Sequence, residues 1–221
     1  MAREDDIATT ARPALDLSRL EILKLETRDL VSAEAFSCGT GDEDKDLNEF
    51  LHNDALRLQD RNIVSTFVAY YGEGGAGALV GYVSLLTDTI KLKTGEKKQL
   101  DLAHDDHPFV PAVKVARLAV HEAFRKEFRG AGEALMRFAC ERAFSVAELA
   151  GCRLLTLDAY PKSVGFYQTL GFKRSRAKEY EAKEHPSMWL DLFAPDAPRW
   201  LSGDQGPLAA SSSADAAPSD E

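Results

Sequence analysis

Length, composition and charge describe an acidic protein of ordinary globular composition. The chain has 221 residues, 44% of them hydrophobic and 29% charged, and a formal net charge of -9. No segment approaches the ~18 to 20 consecutive apolar residues of a membrane span, and the N-terminus lacks the apolar stretch of a secretory signal. These features predict no membrane association and a cytoplasmic location.

The length favours one large domain with tails, at roughly 100 to 200 residues per domain. We predict a flexible N-terminal segment over 1–17, a single domain over 18–200, and a disordered acidic tail over 203–221. The terminal segments 1–19 and 194–221 carry more than half of the net negative charge. The composition therefore argues against a broad nonspecific nucleic-acid surface, while a local basic patch stays open.

The cysteines and histidines give little sign of a metal site. Cys38, Cys140 and Cys152 are odd in number and show no CxxC spacing, so we predict three buried small apolar residues. His104 and His107 flank two aspartates, but two histidines three residues apart in a loop are a weak metal signal. No metal is predicted.

The first half of the chain predicts a strand, an amphipathic helix and an antiparallel hairpin. Apolar residues of the helix recur at three- and four-residue steps, and the hairpin strands are β-branched and aromatic. The turn GEGGAG resembles a phosphate loop only in composition, because it joins two strands. The charged segment after the hairpin is predicted to be a solvated loop. The ranges are 20–25 for the strand, 46–60 for the helix, 63–71 and 78–86 for the hairpin, and 91–107 for the loop.

The segment Val113–Val120 is the strongest strand candidate. Its large apolar residues stand at odd positions before Ala116 and at even positions after Arg117, so the alternation shifts by one residue there. A one-residue slip is typical of a β-bulge, which bends a strand and leaves backbone groups unpaired for a ligand. A strand buried on both faces would give a similar pattern, and the residues alone leave both interpretations open.

The next segment opens a long helix, whose predicted buried stripe runs from Leu135 to Ala150. Glycines at 130 and 132, after Arg129, are typical of a turn that binds pyrophosphate on the unpaired N–H groups of a helix N-terminus. A plain glycine-rich helix entry is the alternative. Later elements are a strand at 153–157, a short helix at 162–170 capped by Gly171, and a final strand at 187–192.

Two motifs in this order resemble the GNAT superfamily of acetyl-CoA-dependent N-acetyltransferases. They are RGAGEA at 129–134, after the strand, and GFYQTLGF at 165–172 in the later helix. The resemblance implies an α/β fold with a mixed, mostly antiparallel sheet flanked by helices and a bulged strand at the acetyl-CoA site. It also implies that acetyl-CoA is the co-substrate. The residues implied to bind it are Leu118, Ala119, Val120, Arg129, Gly130, Ala131, Gly132, Glu133 and Ala134.

The resemblance implies transfer of an acetyl group to a primary amine, with Tyr167 protonating the departing thiolate. A core aromatic packed on Phe166 is the alternative interpretation of Tyr167. The general base stays open, and the candidates by residue type are His121, Glu122, Asp158 and Glu49. A water relayed to the backbone is equally compatible.

Within the superfamily, FSCG at 36–39, LNEFL at 47–51 and RLAV at 117–120 resemble toxin-type members that acetylate aminoacyl-tRNA. The chain departs from them in its acidic core and in a longer loop over 121–128. The acceptors considered are an amine-bearing small molecule, a peptide and an aminoacyl-tRNA. The resemblance also allows a homodimer and an antitoxin partner, and a non-catalytic acyl-CoA sensor is the non-enzyme alternative.

Overall fold

The architecture is one seven-stranded sheet, seen in a computed structural model that describes residues 12–72, 77–102, 108–181 and 183–194. The strand order is β1-β2-β3-β4-β5-β7-β6. All neighbours are antiparallel except β4 and β5. The strands are β1 (Leu20–Lys24), β2 (Ser65–Tyr71), β3 (Ala78–Lys91), β4 (Phe109–Val120), β5 (Leu154–Asp158), β6 (Lys173–Arg174) and β7 (Ser187–Asp191).

Helices cover both faces of the sheet, so the predicted mixed, mostly antiparallel fold class is confirmed. The long helix α6 packs on one face, while α1 to α3 pack on the other. The helices are α1 (Leu30–Glu34), α2 (Asp42–Glu49), α3 (Ala55–Asp60), α4 (Thr94–Gln99), α5 (Glu122–Glu127), α6 (Ala131–Ala150), α7 (Val164–Thr169) and α8 (Lys178–Glu181). Within the described ranges, no helix is both long enough and apolar enough to cross a bilayer.

The predicted helix at 46–60 is confirmed, but it begins earlier and contains an irregularity. A π-helical stretch, Phe50–Asp54, joins α2 to α3, and the Ala55 N–H donates to the Phe50 carbonyl. The wider turn adds a residue without breaking the helix, and Phe50 and Leu51 stay buried. Hydrophobic spacing alone does not reveal such a turn, because the apolar stripe continues through it.

The predicted solvated loop at 91–107 is wrong for its first part. Residues Thr94–Gln99 form α4, and Leu92, Glu96 and Leu100 are buried against the sheet. The buried positions recur every four residues, but the middle one is the charged Glu96, so the apolar pattern of a helix is incomplete in the sequence. Positions 103–107, with His104 and His107, lie outside the described residues.

The expected loop over 121–128 is also wrong, because Glu122–Glu127 form helix α5. His121 caps it, since its Nδ1 accepts a hydrogen bond from the Ala123 N–H at 3.2 Å. The turn residues 73–76, the segment 1–11 and the tail over 203–221 lie outside the described residues. The three cysteines are free and buried, as predicted.

The bulge predicted in β4 is confirmed by the pairing register. Arg117 pairs with Ser84, but the next pair is Val115 with Leu85, which leaves Ala116 as the extra residue. The parallel ladder with β5 ends nearby, at Val115 and Leu157. The bulge therefore lies where β4 separates from β5.

Candidate active site

A cleft opens where β4 separates from β5. On one side, residues 117–120 of β4 pair with β3. On the other side the ladder to β5 has already ended, so the backbone of Leu118, Ala119 and Val120 has an open edge. All three residues line a cavity of about 420 Å³, which we call the cofactor cleft. An unpaired strand edge can hydrogen-bond an extended amide chain.

The N-terminus of α6 forms one end of this cleft. Gly130 has φ +98°, a left-handed conformation that favours glycine, and it leads directly into the helix. The first intrahelical bond runs from the Ala134 N–H to the Gly130 carbonyl at 2.9 Å. The N–H groups of Ala131, Gly132 and Glu133 therefore lack acceptors within the helix. Free N–H groups and the helix dipole together favour an anion.

Eight of the nine residues that the resemblance assigned to the co-substrate line the cofactor cleft. Ala134 does not line it, because its side chain is buried in the core and its N–H is already bonded. The lining also includes three cations that the sequence assignment omitted, Arg12, Arg125 and Lys162. The eight lining residues are Leu118, Ala119, Val120, Arg129, Gly130, Ala131, Gly132 and Glu133.

The segment before β1 is held against this turn. Arg129 donates its N–H to the Pro13 carbonyl, and Leu15 donates to the Arg129 carbonyl, both at 2.9 Å. Leu15 is buried, and an Arg12 guanidinium nitrogen donates to the Arg125 carbonyl. Residues 12–15, within the segment predicted to be flexible, are thus held against the turn, and Arg12 lines the cleft.

The groups in the cleft fit the parts of acetyl-CoA. The open strand edge matches the pantetheine amides, and the free N–H groups of α6 match the pyrophosphate. Arg129 and Arg125 are exposed cations beside those N–H groups. The observation that carries the fit is that the exposed Arg129 guanidinium lines the cleft and, within the described ranges, forms no ion pair, so it is available to a ligand.

A second cavity, of about 690 Å³, adjoins the cofactor cleft and shares Leu118 and Tyr167 with it. Its lining is strongly acidic. We call it the acceptor cavity. Its lining contains two cations, Lys114 and Arg117, and a partly buried His185. Six carboxylates face them, from α2, β3, β5 and the segment before β7. They are Asp42, Glu43, Asp46, Asp88, Asp158 and Glu184. Such a lining attracts cations.

Asp158, at the end of β5, is the best connected of these carboxylates. It accepts from Lys114 Nζ at 2.7 Å, and from Ser187 and Lys183. Burial raises its pKa, but the hydrogen bonds and positive charges outweigh burial, so the pKa lies below its usual value. Asp158 is therefore ionised at neutral pH and is a weak base.

Tyr160 and Asp46 form a pair at the border of the two cavities. The Tyr160 hydroxyl donates to Asp46 Oδ2, and Arg117 Nε lies 3.4 Å from the same oxygen. Burial and the hydrogen bond to Asp46 raise the pKa of Tyr160. Sequence reasoning missed this pair, because the two residues are separated by more than 100 positions.

Tyr167 lies where the two cavities meet, because it lines both. It stands on α7 and is only 9% exposed. Its ring packs on Phe166 and Phe172, with ring centres 5.2 and 5.8 Å away. Burial raises the pKa of Tyr167 to about 12. The Tyr167 side chain is thus both a core aromatic and a residue that borders both cavities.

The other base candidates lie away from both cavities. His121 caps α5 and packs on Phe36, and Glu122 forms an ion pair with Lys126 at 2.8 Å. Glu49 is exposed at the end of α2. Asp158 alone among the four lines the acceptor cavity. Across the described ranges, no group of three or more His, Cys, Asp and Glu side chains is placed to hold a metal ion.

Several solved structures share this fold. AtaT complexed with acetyl-methionyl-tRNAfMet has a TM-score of 0.63 and 20% identity, over 78% of this chain and 94% of that chain. A mutant of KacT has a TM-score of 0.63 and 21% identity, over 78% and 95% of the two chains. The complex AtaTR bound with AcCoA has a TM-score of 0.59 and 20% identity, over 79% and 94%. At these identities the likeness is one of fold.

Sequence comparison identifies the family. No curated protein matches the chain. A family profile described as Acetyltransferase (GNAT) domain matches residues 62–174, which include β2 to β6 and both motifs. The matched range contains the bulged strand, the N-terminus of α6 and Tyr167. The chain therefore belongs to the GNAT acetyltransferase family and is an acetyl-CoA-dependent N-acetyltransferase.

Proposed function

We propose that this enzyme acetylates a primary amine that arrives as an ammonium ion in the acceptor cavity. The single observation that carries the proposal is the position of Tyr167, between a cleft built for an anion and a cavity lined by carboxylates. The two substrates would meet at this residue. Holding both of them in place makes the reaction effectively unimolecular.

The cofactor cleft would hold the co-substrate through backbone groups and one guanidinium. Leu118, Ala119 and Val120 would pair with the pantetheine amides along the open strand edge. The N–H groups at 131–133 and the guanidinium of Arg129 would bind the pyrophosphate. Bound in this way, acetyl-CoA supplies an acetyl thioester, the electrophile of the reaction.

The acceptor cavity would select for a cationic amine. Its carboxylates stabilise an ammonium ion before reaction, but the amine must be neutral to attack. An α-amine, with a pKa of about 8, gives up its proton near neutral pH far more readily than a lysine-type amine at about 10.4. The ammonium would lie among the six cavity carboxylates, of which Asp158 and Asp46 already face Lys114 and Arg117, and water can carry the released proton to solvent.

Tyr167 would act on the departing sulfur. With a pKa raised to about 12, its hydroxyl is protonated throughout the physiological range and is available as a donor. Burial penalises a thiolate in the same place, which raises the pKa of the thiol and favours proton transfer to it. Phe166 and Phe172 fix the ring that presents this hydroxyl.

A second candidate acceptor is an aminoacyl-tRNA. The fold likeness to AtaT, whose structure includes acetyl-methionyl-tRNAfMet, is the observation that favours it. An aminoacyl ester presents an α-amine, which suits direct attack without a strong base. An antitoxin partner, as in AtaTR and KacTA, and a homodimer stay predictions for this chain.

The test is release of CoA thiol with a panel of acceptors at equal concentration. The panel contains a polyamine, an amino acid ester, a cationic peptide, an acidic peptide and aminoacylated tRNA. We expect turnover with cationic amines and none with the acidic peptide. Turnover with charged tRNA alone would select the second candidate. If acetyl-CoA raises the melting temperature while no amine releases thiol, the proposed transfer is wrong and a sensor role gains support.

A further inference from the structure

A short segment before β1 lies against the turn that opens α6, and we call residues 12–15 the N-terminal strap. Ala14 forms a one-residue parallel β-bridge with Arg129. On either side of this bridge the Arg129 N–H donates to the Pro13 carbonyl, and the Leu15 N–H donates to the Arg129 carbonyl, each at 2.9 Å. Leu15 is 6% exposed and belongs to the core cluster that includes α6. Hydrogen bonds and burial together anchor the strap.

The strap occupies both backbone groups of Arg129 and replaces helical bonding at the end of α5. In a helix that continued past α5, the Arg129 N–H would donate to the Arg125 carbonyl, four residues earlier. In the structure this N–H donates to Pro13, and a guanidinium nitrogen of Arg12 donates to the Arg125 carbonyl instead. The protein itself therefore holds the turn before α6 in place, so a ligand does not have to order it.

Arg12 keeps most of its guanidinium group for a ligand. An arginine has five N–H donors. In the part of the chain that the structure describes, Arg12 donates to the Arg125 carbonyl and forms no ion pair with a carboxylate. Its exposed side chain lines the cofactor cleft. The strap therefore adds to the wall of the cleft a cation that no carboxylate neutralises.

The cations that line the cleft differ in how far carboxylates neutralise them. Two carboxylates line it, those of Asp44 and Glu133. Lys162 Nζ forms an ion pair with Asp44 Oδ1 at 2.8 Å. The Nη2 of Arg125 donates to a backbone carbonyl at 2.9 Å, which leaves its charge uncompensated. Three arginines, at positions 12, 125 and 129, therefore share the strap end of the cleft with one carboxylate.

CoA carries two separate anionic groups, and the proposed function assigns a partner to only one of them. The pyrophosphate is assigned to the N–H groups of α6 and to Arg129. The other group is the 3′-phosphate of the ribose, a phosphomonoester with about 1.5 to 2 negative charges at pH 7. Its oxygens suit the paired N–H donors of arginine. Arg12 and Arg125, beside the pyrophosphate turn, have the charge and the donors for this group.

We infer that Arg12 and Arg125 bind the 3′-phosphate of CoA, so that the N-terminal strap makes the enzyme prefer CoA over acyl carriers that lack this phosphate. This inference rests on the proposed function, because it takes the co-substrate to bind in the cofactor cleft. The strap lies outside the range 62–174 that the family profile matches. The preference is therefore added by a segment that precedes the matched domain.

The test compares the affinities of CoA and dephospho-CoA, which differ only in the 3′-phosphate, by calorimetry without an acceptor. The test variants are Arg12→Gln and Arg125→Gln, each made singly. The matched control is Arg61→Gln, the same charge change at an exposed position outside the cleft. Melting temperatures check that the variants fold. Because the two test positions lie on different elements, either variant suffices if the other fails to fold.

We expect the wild-type protein to bind CoA about tenfold or more tightly than dephospho-CoA, since charge-assisted hydrogen bonds to the phosphate are lost with it. Each test variant should lose about five- to tenfold in affinity for CoA, because the arginines are exposed and partly screened. Its affinity for dephospho-CoA should change by less than about twofold. The Arg61→Gln control should bind both ligands as the wild type does.

The outcomes separate this inference from the proposed function. Equal wild-type affinities for the two ligands would overturn the inference. A loss of the same size for both ligands in the test variants would also overturn it, since the arginines would then act on the turn and not on the 3′-phosphate. If the wild type shows the expected preference for CoA while no amine releases thiol, the inference stands and only the proposed transfer is rejected. Binding of neither ligand would reject the cofactor cleft itself.

Discussion

The cofactor cleft and the acceptor cavity meet at two tyrosines, Tyr160 and Tyr167, but are built in different ways. The co-substrate groups proposed in the cleft come mainly from two short runs of backbone, residues 118–120 and 129–133. The cavity is made by carboxylates that four separate parts of the fold bring together. A site made of backbone groups can be predicted from local sequence, here from glycines and from a one-residue shift in the apolar alternation of a strand. A site made of distant side chains leaves none.

The largest effect is expected at Tyr167, one of the residues that line both regions. Tyr167→Phe keeps the packing on Phe166 and Phe172 but removes the proposed proton donor. We expect kcat to fall by about 10² or more, in the range of general acid catalysis. Steady-state thiol release gives kcat, and calorimetry gives the acetyl-CoA affinity, which we expect to stay unchanged.

Tyr71→Phe is the control for this substitution, because Tyr71 is a partly buried aromatic that packs on Phe124 and Phe128 and itself lines neither cavity. The pH profile adds a second check. Because the pKa of Tyr167 is raised to about 12, the wild-type rate should rise as the amine loses its proton and show no alkaline decline below about pH 11. A Tyr167→Phe enzyme with wild-type kcat would rule out the donor role.

The next largest effect concerns stability beside the acceptor cavity. Glu96→Ala removes the acceptor of three hydrogen bonds and leaves the buried Trp189 N–H without a partner. We expect a loss of about 3 kcal/mol in the free energy of unfolding, measured by urea denaturation. Glu127→Ala, at an exposed position in α5, should change stability by less than about 0.5 kcal/mol. Comparable losses in the two variants would contradict the bracing role of Glu96.

The same contrast separates what the sequence predicted from what it did not. The bulge at Ala116 and the glycine turn before α6 follow from local spacing, and Tyr167 follows from the resemblance of its motif. The turn and Tyr167 line the cofactor cleft, while Ala116 lines the adjoining acceptor cavity. Ala134 matches the motif in sequence. In the structure its N–H donates to the Gly130 carbonyl and its side chain is buried in the core. The four unpaired N–H groups at this helix start end with Glu133, so the assignment of Ala134 to the co-substrate stays a prediction.

The residues that sequence reasoning missed depend on partners far along the chain. The acids of α2 look like the solvated face of an amphipathic helix, and nothing near them indicates that β5 lies opposite. Glu96 looks like one charge in a charged loop, because its partner Trp189 is 93 residues away. A buried carboxylate is identified only by the donors around it, and those donors are set by the fold.

The dependence of acetyl-CoA binding on the backbone conformation of the cofactor cleft can be tested at Gly130. Its φ is +98° and a Cβ there would meet open space, so Gly130→Ala adds backbone strain and no clash. We expect strain of about 1–2 kcal/mol, seen as a roughly tenfold weaker acetyl-CoA affinity by calorimetry or an equivalent loss of stability. Gly95→Ala also meets open space, without positive φ, and is the control. Wild-type affinity and stability in Gly130→Ala would show that the turn tolerates other conformations.

The smallest effect is expected where charge alone is changed, in the acceptor cavity. Asp46 is half exposed, so Asp46→Asn removes one partly screened carboxylate while the Tyr160 hydroxyl keeps an oxygen acceptor. We expect KM for a cationic amine to rise about two- to fivefold, with kcat and the acetyl-CoA affinity nearly unchanged. Glu49→Gln makes the same charge change three residues along α2, outside both cavities, and should leave KM unchanged. Because the effect is electrostatic, the difference in KM between the two variants should shrink at high salt. A difference in KM that persists in 1 M salt would mean that Asp46 acts through its hydrogen bond to Tyr160.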